Sequence, residues 1–303
     1  MLEAKKNEFQ GTLLILAASM LWAGGYLFRK TVLYGISPLL LTFLTSAIVA
    51  VTFSLIFRLS PRTALHAFWE HSWLYAALAL TGVIGSTCMF IGLDELNLGV
   101  SVVLEKLQPI FTFLLAWLLL KERLSTRKIP FMIIAIVASY FVSIKDPFDF
   151  TFTGVSLRGI GAVILAAFTW SFTSVIGKKL TKVQPNAQII TLLRFTLGSI
   201  MLFPFFILRA RLGLQIQADL YVLVVVALCA LFSTGLGYLL FYRGLKSVTA
   251  TVSGFLELVT PVVGAILGIL FLHERFTVLQ LVAALVLLTS IYQLCRPDGL
   301  KEA

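Results

Sequence analysis

Ten apolar runs dominate this sequence, at roughly 10–29, 38–57, 73–93, 99–120, 129–144, 159–177, 189–208, 219–242, 251–272 and 277–294. Each approaches the ~17–25 residues that a helix needs to cross about 30 Å of hydrocarbon. Within a bilayer the backbone must satisfy its own hydrogen bonds, which leaves only helices or a closed barrel. The period-two alternation of barrel strands is missing. With 59% hydrophobic and 13% charged residues, the chain has more apolar surface than a water-soluble core can hide. The expected fold is an all-α integral membrane protein with ten transmembrane helices.

Lys5 and Lys6 precede the first run, and Ala17–Ser19 offers a signal-peptidase-like site. A similar stretch recurs internally at 159–177, where no signal peptidase acts, so the first run is read as a retained helix. The net charge of +10 would suggest nucleic acid in a soluble protein, but here the basic residues collect in short loops. With the N-terminus inside, inner segments hold 15 Lys and Arg residues, and outer segments, including Arg29 and Lys30, hold 7. That asymmetry puts both termini in the cytoplasm, as expected for a multi-pass protein of the cell (inner) membrane. Cys88, Cys229 and Cys295 are odd in number and two lie in spans, so they define no disulfide framework. His66, His71 and His273 lack metal-ligand spacing to them. The sequence calls for no metal and no cofactor, and carries no sign of oligomeric state.

The chain also repeats itself. At an offset of 152, residues 92–123 align without a gap on 244–275, with 12 identities in 32 positions. These include Glu105 with Glu257, Pro109 with Pro261, and Glu122–Arg123 with Glu274–Arg275. An offset of 148 pairs Trp22 with Trp170 and Lys30 with Lys178. The expectation is two five-helix units, 1–150 and 151–303. Because five is odd, the second unit enters the membrane from the opposite side, which makes the repeats inverted. Inverted repeats recur in secondary transporters, where two related conformations open to opposite sides.

The motifs "WAGGYLFRK" closing helix 1, the proline in helix 4, "LLLKERLS" after it and "FLHERFT" after helix 9 resemble the EamA family of the drug/metabolite transporter superfamily. The resemblance covers nearly the whole chain. It implies ten helices, cytoplasmic termini and a central cavity between the halves. It also implies export of amino acids and other metabolites, with relatives that carry nucleotide-sugars, phosphorylated sugars or S-adenosylmethionine.

Glu105, Lys106, Arg194 and Glu257 are charged residues well inside apolar runs, where a charge costs at least about 2.5–3.5 kcal/mol and generally faces a cavity or a partner. Arg194 and Glu257 share a depth, which suggests a pair. Glu105 and Glu257 fall at mirrored depths on either side of the midplane. Lys106 and Arg194 have no charged counterpart in the other unit; they either serve a substrate carboxylate or phosphate, or hold helices together and reach the interface. Gln108 is a further polar group on this helix, beside the proline. Pro109 and Pro261 each release the carbonyl four residues earlier, so a kink and a free carbonyl are expected at each glutamate. Trp22 and Trp170 lie in mid-span, away from the interfaces that tryptophan favours. With Tyr238 and Tyr242 they are candidates either for the cavity or for packing.

The reading that follows is a secondary transporter of a small polar metabolite, an amino-acid-like exporter working by alternating access. Its expected partners are a small-molecule substrate, the bilayer and protons, and not nucleic acid. No G-x-x-x-x-G-K-[ST] loop occurs. The alternatives are an importer or exchanger of a nucleotide-like or S-adenosyl solute, and, in another class, a membrane enzyme or a channel.

Overall fold

The computed structural model describes residues 2–123, 125–143, 156–211, 219–272 and 277–295. It contains ten helical spans: Lys6–Val32 (span 1), Pro38–Phe57 (span 2), Ser72–Glu95 (span 3), Leu98–Leu120 (span 4), Thr126–Ser143 (span 5), Leu157–Val183 (span 6), Ala187–Leu208 (span 7), Leu220–Leu245 (span 8), Ala250–Leu267 (span 9) and Val278–Cys295 (span 10). No strand occurs among the described residues. A short amphipathic helix, Pro61–Glu70, connects spans 2 and 3. The chain is therefore an all-α multi-pass membrane protein, as its apolar runs dictate. The expected boundary at 150/151 lies outside the described residues.

Local chemistry sets the span ends. Asn97, Ser156, Asp219 and Thr249 each cap a helix by accepting the amide three residues ahead, which satisfies one of the donors that a helix start leaves open. Pro38 and Pro61 sit in the first turn of their helices, where a missing N–H costs nothing. Spans 2 and 4 stop at basic residues in the left-handed conformation, Arg58 (φ 45°) and Lys121 (φ 54°).

The most extensive helix pairings cross between the first five spans and the last five: span 3 on span 6, 5 on 10, 2 on 7 and 1 on 8, with spans 4 on 6 and 1 on 9 also packed. Two sets of contacts fasten the helix ends. Lys30 Nζ donates to the carbonyls of Leu93 and Leu96 at the end of span 3. Lys178 Nζ donates to those of Leu245 and Val248 at the end of span 8. Each lysine thereby satisfies carbonyls that a helix terminus leaves open. In the same manner Trp170 lies against Gly85, and Trp22 against Gly237. A Cβ at Gly85 would come 2.5 Å from Trp170 Cδ1, and one at Gly237 would come 2.6 Å from Trp22 Nε1. Only glycine lets the indoles seat there.

Three irregularities interrupt the spans. Span 4 is broken between the helices Leu98–Glu105 and Gln108–Leu120. Span 9 is broken by a 3-10 turn at Glu257–Val259, between Ala250–Leu256 and Thr260–Leu272. Span 8 contains a π-helical stretch, Cys229–Leu236, a form that often occurs at functional sites. The first two breaks follow from Pro109 and Pro261, which cannot donate into the preceding turn. The expected free carbonyl at Glu257 is not free: it accepts the hydroxyl of Thr260.

Candidate functional site

The breaks in spans 4 and 9 and the π stretch of span 8 meet at one central cavity of about 50 Å³. Its charged and amide lining is Arg29, Glu105, Gln108 and Glu257. Trp22, Phe90, Trp170 and Tyr238 are among the rings around them. Small hydroxyls, such as Thr42, Ser86, Thr173 and Thr234, complete the wall. Drug-sized ligands occupy pockets of about 300–1,000 Å³, so this conformation has room for water but must open to admit a solute.

Glu105 is 6% exposed and fully engaged. Tyr26 donates its hydroxyl to Oε1 at 2.6 Å, and Lys106 Nζ lies 3.3 Å from Oε2. Lys106 is thus folded onto its neighbour and is not among the residues that line the cavity; the helix break lets adjacent side chains turn towards each other. Across the cavity, Gln108 Nε2 donates to Glu257 Oε2 at 2.9 Å, while Glu257 Oε1 is buried without a partner. The two glutamates face one shared cavity.

Arg194 does not pair with Glu257. Its NH1 donates to the Tyr242 hydroxyl at 2.6 Å, and its guanidinium lies over the Tyr238 ring, 3.8 Å from the centroid. Depth alone suggested the pair with Glu257, but depth does not fix the direction in which a helical side chain points. Tyr242 is fully buried behind Tyr238 and, like Arg194, stays out of the lining. Tyr238, Trp22 and Trp170 do line it. The indole nitrogens of both tryptophans are buried without partners.

The lining also holds residues that the sequence reading does not single out, among them Tyr26, Arg29 and Phe90. The charge asymmetry counts Arg29 in an outer segment, yet the first helix continues to Val32 and Arg29 is 5% exposed. It donates to Thr234 Oγ1 (2.5 Å), Ser233 Oγ (3.2 Å) and the Cys229 carbonyl (3.3 Å). The offset of 148 sets it opposite Gly177, so Arg29, like Lys106 and Arg194, has no charged counterpart in the other unit.

Comparison with known families matches residues 9–144 and 157–295 to the EamA-like transporter family. The chain belongs to the EamA-like transporter family. It is a membrane transporter rather than an enzyme, as the names of its relatives also indicate. An "uncharacterized transporter" of Archaeoglobus fulgidus is 28% identical over 86% of this chain and 90% of its own length. Another so named, from Methanothermobacter thermautotrophicus, is 24% identical over 70% of this chain, and the match spans 61% of that protein's length. The "Riboflavin transporter ImpX" of Fusobacterium nucleatum is 24% identical over 96% of this chain and 99% of its own. The "Probable amino-acid metabolite efflux pump" of Escherichia coli is 23% identical, with 92% of each covered. A crystal structure at 17% identity superposes with a TM-score of 0.71 over 93% of this chain and 95% of its own, which establishes the likeness of fold.

Proposed function

We propose that this EamA-family member is a secondary transporter that exports a small, polar, amino-acid-like metabolite across the inner membrane by alternating access. One observation carries the reading. Glu105, Gln108 and Glu257 stand at the breaks of two discontinuous helices and line one cavity to which both halves of the chain contribute. Broken helices at a repeat interface are where transporters of this general design bind solutes.

The two halves are inverted repeats in this account, with both termini cytoplasmic. Support comes from the matched contacts. Lys30 and Lys178, and the pairs Trp170–Gly85 and Trp22–Gly237, make corresponding contacts at the repeat offsets of 148 and 152. The helix pairings also exchange into one another when spans 1–5 are swapped for 6–10. Coupling is to protons. Glu257 is the carrier, because its carboxylate has a single amide partner, whereas Glu105 is held by a lysine and a tyrosine.

A second reading, transport of a nucleotide-like or other heteroaromatic solute, is favoured by the rings of Trp22, Phe90, Trp170 and Tyr238 around the cavity and by the name of the riboflavin transporter relative. Counterflow in reconstituted liposomes, with amino acids first and riboflavin and nucleosides second, separates the two. Saturable exchange of an amino acid supports the first, exchange of a heteroaromatic solute alone supports the second, and turnover of a lipid or non-saturating flux defeats both.

A further inference from the structure

We propose that Arg29 anchors an anion subsite in the central cavity, so that the solute bound there carries a carboxylate or phosphate group. The inference starts from a charge without a counter-ion. The guanidinium is buried, and its three hydrogen-bond partners, two hydroxyls and one carbonyl, are all neutral. Nε is buried with no partner. No ion pair joins Arg29 to a carboxylate among the described residues. The lining carboxylates are engaged otherwise, Glu105 with Lys106 and Tyr26, and Glu257 with Gln108.

Desolvating a guanidinium is expensive, and neutral acceptors compensate it only in part. Arginine retained in that state at a cavity wall is suited to a planar two-oxygen acid, which its fork can grip with two parallel hydrogen bonds. The surrounding geometry holds the group in place. The π stretch of span 8 contributes the Cys229 carbonyl, Ser233 and Thr234 from one continuous wall. Gly25, one turn before Arg29, lets that wall close in, since a Cβ there would lie 2.0 Å from Ser233 Oγ and 2.7 Å from Arg29 NH1. The cavity then offers a cation at Arg29 and a partly satisfied carboxylate at Glu257, the complement of a solute that bears both an acidic and a basic group.

This proposal rests on the reading of the cavity as the solute site, but its test needs no transport. Thermal unfolding of the purified full chain in detergent is measured with acetate and benzoate, with acetamide and benzamide, and with inorganic phosphate, each against chloride at equal ionic strength. A ligand that binds only the folded state raises the midpoint. The expected result is a rise of about 2–4 °C with one or more of the acids, none with the amides, and loss of the difference in Arg29→Gln. A larger effect of phosphate than of the carboxylates assigns a phosphate-bearing solute; the reverse assigns a carboxylate. Arg29→Lys, which keeps the charge without the fork, should retain a reduced rise, and this holds the test open if Arg29→Gln fails to fold. Equal effects of acids and amides in the parent, or an acid effect that survives Arg29→Gln, overturns the subsite. An acid-dependent rise in a protein that moves no solute would leave the subsite standing and defeat the transporter mechanism instead.

Discussion

Gln108 holds Glu257 across the cavity, its side-chain amide 2.9 Å from Oε2. It joins the broken helix of one half to that of the other, at the level where each is interrupted. A neutral amide can follow either protonation state of the carboxyl, because it donates to a carboxylate and can also accept from the acid. Gln108→Leu should therefore lower flux at least tenfold. It should destabilise the protein by about 1–3 kcal/mol, the usual cost of an orphaned buried polar group. Flux in liposomes and thermal unfolding in detergent check the two parts separately.

Lys106 and Glu105 form a buried pair, with side chains 7% and 8% exposed. Lys106→Met leaves a buried carboxylate with only the Tyr26 hydroxyl, and removing one partner of such a pair costs about 3–5 kcal/mol. The double replacement with Glu105→Gln should recover most of that loss in thermal unfolding. Equal stability of the single and double variants would mean that the pair is not coupled.

Gly237→Ala puts a methyl group 2.6 Å from Trp22 Nε1, and Gly85→Ala puts one 2.5 Å from Trp170 Cδ1. Overpacking of this kind costs about 1–3 kcal/mol. Trp22→Phe should rescue Gly237→Ala but not Gly85→Ala, which thermal unfolding of the three single variants and the two double variants will reveal.

Lys178 satisfies three carbonyls at the end of span 8, those of Leu245, Lys246 and Val248. Lys178→Met should destabilise by about 1–3 kcal/mol, as should Lys30→Met, which strips Leu93 and Leu96 of the same donor. Parallel losses in unfolding midpoint are expected from the two. A loss confined to one would argue against equivalent roles in the two halves.

Much of this arrangement is legible in the amino-acid order. Ten apolar runs leave the backbone no choice but helix, and Pro109 and Pro261, four residues after Glu105 and Glu257, mark where two of those helices break. The direction of side chains around the helix axis is less legible. Arg194 and Glu257 share a depth, yet Arg194 turns to Tyr242. Arg29 is hard to place because a basic residue near the end of an apolar run reads as an interface anchor. Its burial depends on a helix that continues to Val32 and on the π stretch of span 8, and π-helices have no compositional signature. The Tyr26–Glu105 contact joins residues 79 apart, and no local pattern announces it.

The central claim is that Glu257 carries the proton that couples solute movement through this cavity. Substrate flux and internal pH are recorded together in liposomes for the parent and for Glu257→Gln and Glu105→Gln, using the solute found by counterflow. The account predicts proton movement stoichiometric with solute in the parent. In Glu257→Gln it predicts solute exchange without proton movement. In Glu105→Gln it predicts weakened flux that remains coupled. Proton movement undiminished in Glu257→Gln, or parent flux indifferent to a pH gradient, would contradict it.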